Sequence, residues 1–267
     1  MSKIHIKGIV SLLAVAAIGM AALPVTANAS SSYYNMGRAQ YVRTKKAMYV
    51  GIYQKKGNTY KPLLKKKGSL LRVSSTTQKS SNSPVLAAFT SGAVHYNRLN
   101  QLKFNDTPTV PLTKANFQKV ALKAPIRGTV LRAGSGFKED SNGNFGNASA
   151  FYLTLDNYLQ YYSKSAMVKY DAAGTMIIDG GHRMDNYKPT ASAKMTKTTV
   201  KGNTTTVQYR TPIKGVPGKK LGAHKYQIKI TYLNTIGHKS FGESYGSNWG
   251  NYTINGRPYF SGIVNDY

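Results

Sequence analysis

The stretch Ile177-Ile178-Asp179-Gly180-Gly181-His182-Arg183-Met184-Asp185 sets two carboxylates at equal spacing around a histidine. Asp179 with His182 could act as a general acid/base pair, and a Ser–His–Asp triad stays open because it is defined by geometry and not by order. Asp179, His182 and Asp185 are also metal-ligand types. Two glycines in a row make a helix there unfavourable, so the three groups do not share a helical face. After the apolar Met176-Ile177-Ile178, the Asp-Gly-Gly run reads as a turn that follows a strand. Asp179 can then bond its own downstream amides, and Arg183 can neutralise either carboxylate. The turn is the expected reading, with no catalytic residue and no metal site assigned. The alternative is a secreted wall- or glycan-acting hydrolase using Asp179, His182 and Asp185.

Other chemistry is thinly represented. The chain has no cysteine, which removes thiol nucleophiles and thiolate metal sites. It has neither a GxSxG elbow nor an HExxH pair. Asp140, Asn142 and Asn144 match the first odd positions of a calcium loop. Phe145 stands where that loop needs glycine, and Phe151 where it needs glutamate. His95, His224 and His238 have no acid close in sequence. No cofactor is expected.

Charge carries more information. The chain holds 37 Lys or Arg against 9 Asp or Glu, a net charge of +28. Fourteen basic residues and no acid lie between Ser30 and Asn105, and eleven and no acid between Asn186 and Gly242. Seven of the nine acids lie between Asp106 and Asp185. Self-repulsion of this size opposes compaction unless a polyanion or salt relieves it. The pairs and triples Lys45-Lys46, Lys55-Lys56 and Lys65-Lys66-Lys67 recur about every ten residues, and Lys219-Lys220 adds a further pair. These nine lysines are the expected polyanion contacts. Tyr41, Tyr49, Tyr53 and Tyr60 interleave with the first seven and could stack on sugar rings or fill a core.

The N-terminus reads as a secretory leader. Lys3 and Lys7 precede an apolar run from Gly8 to Leu23, and Ala27-Asn28-Ala29 is a small-x-small cleavage site. Cleavage after Ala29 removes two lysines, so the net charge falls from +28 to +26. No other segment is long and apolar enough to cross a bilayer as a helix. An exported chain without cysteine must fold without disulfides.

The elements that position these residues read mainly as β. Lys46–Tyr53 is an expected strand, followed by a Gly57-Asn58 turn. Lys67-Gly68-Ser69 is a second turn, leading into Leu70–Val73. A third lies near Gly202-Asn203. Tyr226, Ile228, Ile230 and Tyr232 alternate along one strand face. Asn255-Gly256 is the best short hairpin signal, with Pro258 at an edge or bulge. Thr113–Val120 is an expected helix capped by Thr113. The segment Phe151–Tyr162 fits either a helix or a hairpin turning at Asp156-Asn157. Ser74–Pro84 and Gly134–Asn147 read as loops.

The cysteine-free, lysine- and tyrosine-rich exported chain, with MYVGIYQKKGNTYKPLLKKKGSLLRV from Met48 to Val73, resembles the basic S-layer and S-layer-associated surface proteins of lactic acid bacteria. The resemblance implies small β modules, some SH3-like, that attach non-covalently to wall polymers such as teichoic acids. The expected fold class is mainly β. It comprises small β-barrel or sandwich modules with antiparallel hairpins and one or two short helices. The expected organisation is a signal peptide (1–29), a basic β module (30–105), a central mixed module (106–185) and a basic β-hairpin module (186–267). The expected role is that of a secreted, wall-associated protein that binds anionic polymers, with self-association as a second partner class. Besides the hydrolase, an adhesin or secreted nucleic-acid binder is the remaining alternative.

Overall fold

The computed structural model describes residues 32–36, 41–120, 129–139, 141, 147–171, 187–241, 243 and 245–266. The fold is mainly β, with antiparallel pairing throughout and two short helices among these residues.

Two sheets share the first core. The strands β1 (Tyr41–Thr44), β4 (Leu70–Thr77), β5 (Leu86–Thr90), β7 (Val110–Pro111) and β8 (Phe117–Val120) form one sheet, in the order β7-β5-β4-β1-β8. A smaller sheet has β2 (Ile52–Lys56) between β3 (Thr59–Pro62) and β6 (Leu102–Phe104). Val42, Leu71, Phe89 and Phe117 from the first sheet pack with Ile52 from the second in one buried cluster. The Phe89 and Phe117 rings stack with centroids 5.0 Å apart.

Local signals explain several of these strands. Gly57 and Gly68 take φ of +59° and +82° in the turns expected for them, a region open to glycine without steric cost. The strand expected over Lys46–Tyr53 is shorter than its pattern. Met48 makes only an isolated bridge to Lys65, and β2 starts at Ile52. Gly51 interrupts it at φ +73°, packed against Asn105. The helix expected over Thr113–Val120 is also corrected. The Thr113 hydroxyl does accept from the Asn116 N–H at 3.1 Å, but the turn stops there. Phe117–Val120 pairs with β1 instead, burying Phe117 completely. Ser74–Thr77, expected as loop, continues β4 against β5.

The second core lies in a closed barrel. Its strands are β9 (Leu131–Ala133), β10 (Ala150–Leu153), β11 (Tyr158–Tyr162), β12 (Ala191–Lys201), β13 (Thr204–Tyr209), β15 (Lys225–Phe241), β16 (Tyr245–Ile254) and β17 (Arg257–Asp266). Each pairs with the next in this order, and β17 returns to β9 through Tyr259↔Ala133 and Phe260↔Arg132. Closure pairs each of the eight strands on both sides over part of its length, and β15, β16 and β17 run on beyond the ring. A ninth strand, β14 (Lys219–Gly222), adds to β15 outside the ring. Phe151–Tyr162 resolves as the β10–β11 hairpin, with Asn157 at φ +68° in its turn. Asn255 and Gly256 take +48° and +82° in the β16–β17 turn.

Alternate residues of β10 and β11 are buried on both faces. Phe151, Leu153, Leu159 and Tyr161 point into the barrel with Val207, Ile228, Ile230 and Ile254. Tyr152 and Tyr162 face outward, under Met167 of α2 (Lys164–Asp171), Phe137 and Trp249. The loop after β13 covers the Tyr161–Tyr209 end of the barrel with Ile213 and Val216. Gly215 and Gly218 sit where a β-carbon would overlap the hydroxyls of Tyr161 and Tyr209.

The expected organisation places boundaries at 105/106 and 185/186. Hydrogen-bonded strands cross both positions, because β8 completes the first sheet beside β1 and β12 pairs with β11. Charge balance changes at those points, but strand pairing follows the apolar pattern.

Candidate anion-binding surface

Asp179, His182 and Asp185 lie outside the described residues, as do Asp140, Asn142 and Asn144. Of the other histidines, His224 is exposed in the β14–β15 turn. His238 is exposed and shares a 2.9 Å hydrogen bond with Asn248. His95 caps α1 (Tyr96–Leu99), accepting from the Asn97 N–H at 3.3 Å. None of the three joins a cluster of metal-ligand side chains among the described residues.

The lysines are better gathered. The end of β1 brings three chain segments together. The buried Thr44 hydroxyl donates to the Lys66 carbonyl at 2.7 Å and accepts from the Ser69 N–H at 3.1 Å. The Thr44 carbonyl accepts from the Gly68 N–H at 2.7 Å. One residue on, the Lys45 N–H donates to Asn116 at 2.8 Å, and the Lys45 ammonium donates to the Lys114 carbonyl at 2.6 Å. On the other side, Arg43 Nη1 donates to the Gly68 carbonyl at 2.9 Å. Arg43, Lys45, Lys46, Lys66, Lys67 and Lys114 are all exposed around this knot. None of the six has a carboxylate partner among the described residues.

A second basic area lies on the small sheet. Lys55 stands opposite Tyr60, and Tyr53 stands opposite Lys103 and Pro62. Directly paired residues share a face, and i and i+2 share it too. One face therefore carries Tyr53, Lys55, Tyr60, Pro62 and Lys103. Ile52, on the opposite face, is buried in the core. Lys56 is exposed beside the hairpin turn. Lys219 and Lys220 lie exposed on β14, on the barrel.

Lys65 departs from its neighbours. It is only 7% exposed, and its backbone bridges Met48. Burial holds its pKa below the usual lysine value, and the nearby Arg98 charge lowers it further. Eight of the nine expected contacts are thus on the surface, and Lys65 is not one of them. Arg43 and Lys114 were not expected in the cluster. The sequence pattern shows neither the pairing of β1 with β8 nor the role of the Thr44 hydroxyl.

A surface of this kind can meet a polyanion through many weak contacts without an enclosed pocket. Each Lys or Arg near an anionic surface contributes about 1 kcal/mol, falling off within a Debye length. No protein-family model matches the chain, and neither a curated protein nor a solved structure matches it.

Proposed function

We propose that this is a secreted surface protein held non-covalently on anionic cell-wall polymers of the teichoic acid type. The knot at the end of β1 serves as its main contact. The observation that carries this reading is the convergence of Arg43, Lys45, Lys46, Lys66, Lys67 and Lys114 with no carboxylate partner among the described residues. Folding has brought cations from three segments to one place, although their mutual repulsion opposes it. A polyanion relieves that repulsion and releases its own counterions on binding. The Tyr53–Lys55–Tyr60–Lys103 face adds cations beside rings that can pack on sugar units.

The test is co-sedimentation with purified walls, before and after chemical removal of their phosphate polymers. Binding is expected to the intact walls at low salt, and release is expected in molar salt. Equal binding to stripped walls, or retention in molar salt, would overturn the reading.

A further inference from the structure

The barrel has a second feature, which the lysines do not explain. Beside the β12–β13 turn lies a groove of about 380 Å³ lined by Val200, Gly202, Asn203, Thr205, Ile230, Tyr232, Asn234 and Tyr252. None of these side chains is charged, in a chain of net charge +28. The floor is Ile230 and Thr205, 1% and 4% exposed. One wall is the Tyr232–Tyr252 pair, with ring centroids 4.9 Å apart and tilted by 38°. The two tyrosines are directly paired across β15 and β16, so their rings lie on one face of the sheet. Gly250 lies beside both, and a β-carbon there would come within 3.3 Å of each ring.

The groove's shape is built in. The ladder between β15 and β16 breaks between Tyr232 and Ile236, and Asn234 takes φ +55° in that bulge. The Asn203 amide donates to the Tyr232 carbonyl at 2.6 Å, and the Asn203 carbonyl accepts from the Tyr232 N–H at 3.0 Å. These bonds tie the β12–β13 turn to the bulge. Val200, in the lining, is 42% exposed, and beyond the groove Leu233 and Ile236 are 45% and 64% exposed.

We infer that this groove is a binding site for a neutral sugar ring of an oligosaccharide. Eight-stranded barrels have room at the mouth for one small ligand. A pyranose presents a face of C–H bonds that packs on an aromatic ring, and a rim of hydroxyls that needs amide and hydroxyl partners. The groove supplies the rings of Tyr232 and Tyr252, and it supplies Asn203, Asn234 and Thr205 beside them. An anionic ligand would find no cation in the lining, and a purely apolar one would leave the Thr205 hydroxyl and the Asn234 amide unpaired. The inference stands apart from the lysine reading, because it invokes no ionic contact.

The experiment titrates the full secreted chain with soluble oligomers of glucose and of N-acetylglucosamine in molar salt, following NMR shifts. Saturable binding to at least one oligomer is expected, at similar affinity in low and high salt. Tyr252→Ala should weaken it about tenfold or more. Gly250→Ala, whose β-carbon would press on both rings without removing either, should also weaken it while the far-ultraviolet circular dichroism stays unchanged. The proposal is overturned by an absence of saturable shifts with both oligomers. Binding that disappears in molar salt, or binding that both variants leave intact, overturns it as well. Because the titration is run in molar salt, its outcome is independent of whether walls hold the protein through lysines.

Discussion

The carboxylate of Asp156, in the β10–β11 turn, accepts a hydrogen bond from the backbone N–H of His95 at 2.9 Å. Its other oxygen lies 3.6 Å from the Arg98 guanidinium. This is where the segment leaving the first sheet docks on the barrel. Around it, the Leu155 N–H donates to the Ala93 carbonyl at 2.7 Å, and the Tyr96 N–H donates to Gln160 at 2.7 Å. Gln160 is fully buried and donates in turn to the Tyr152 hydroxyl at 2.6 Å. At Gly92 a β-carbon would crowd the side chains of both Leu155 and Tyr41. One of the few acids in the chain is thus committed to holding its two cores together.

Asp156→Ala should loosen that junction. The His95 N–H loses its acceptor in a part-buried position, a change that costs about 1–2 kcal/mol. The Arg98 pair adds little, since its guanidinium is half exposed. Urea unfolding should show a lower midpoint with an unchanged slope. A midpoint equal to that of the parent chain would mean that the junction does not depend on this carboxylate.

The same junction should weaken in acid. Burial lowers the His95 pKa below 6.5, and the Asp156 charge opposes that only in part. Between the folded pKa and 6.5, the unfolded chain therefore binds more protons than the folded one. The contribution to stability is fully present above 6.5 and is lost as pH falls through the folded value. The melting temperature should drop over this window, and His95→Gln should flatten the drop. The Nε2 contact with Ser192 at 3.1 Å is available to glutamine.

At high pH a different pair of groups controls stability. Burial, helped by neighbouring Tyr226 and Tyr161 respectively, pushes the hydroxyls of Tyr209 and Tyr259 up to about 12. Between the unfolded value of 10 and about 12 the folded state holds the extra protons, so stability is lost as pH rises through that window. Tyrosinate absorbance should lag in the native protein and then rise together with barrel unfolding. Tyr259→Phe should delay that loss. Simple, independent titration of all tyrosines near pH 10 would contradict it.

Much of the fold was legible because turns announce themselves. Gly57, Gly202 and Gly256 sit at positive φ in turns between antiparallel strands, and Gly68 does so in the turn before β4. The alternation in Tyr226–Tyr232 gave the inner face of β15, with Ile228 and Ile230 buried. Barrel closure was not legible. It rests on the three-residue β9, which pairs two residues with β10 and two with β17. Nor was the fate of Tyr152 and Tyr162, because both faces of β10 and β11 are covered and alternation vanishes there. At the candidate surface, lysine doublets signalled exposure correctly for Lys66 and Lys67 but not for Lys65. The difference is the isolated bridge to Met48, which turns Lys65 inward. The groove at Tyr232 and Tyr252 was hidden because its bulge follows the clean alternation and depends on a register shift between β15 and β16.

That difference between adjacent lysines gives the sharpest separation of stability from binding. Lys65 carries its charge into a site 7% exposed and close to Arg98. Its pKa is lowered, so the penalty is fully present below the folded value and fades as pH rises toward 10.5. Lys65→Met keeps the unbranched apolar stem and removes the ammonium. It should raise stability on the order of 1 kcal/mol at neutral pH and leave wall binding unchanged. Lys66→Gln combined with Lys67→Gln should do the reverse. Stability should stay near the parent's, while the slope of log affinity against log salt falls by roughly 0.7–0.9 for each charge removed. Melting curves and wall co-sedimentation across a salt series measure both effects. If Lys65→Met weakens binding as much as the double substitution, Lys65 does reach the polymer and the surface is drawn wrongly at that position.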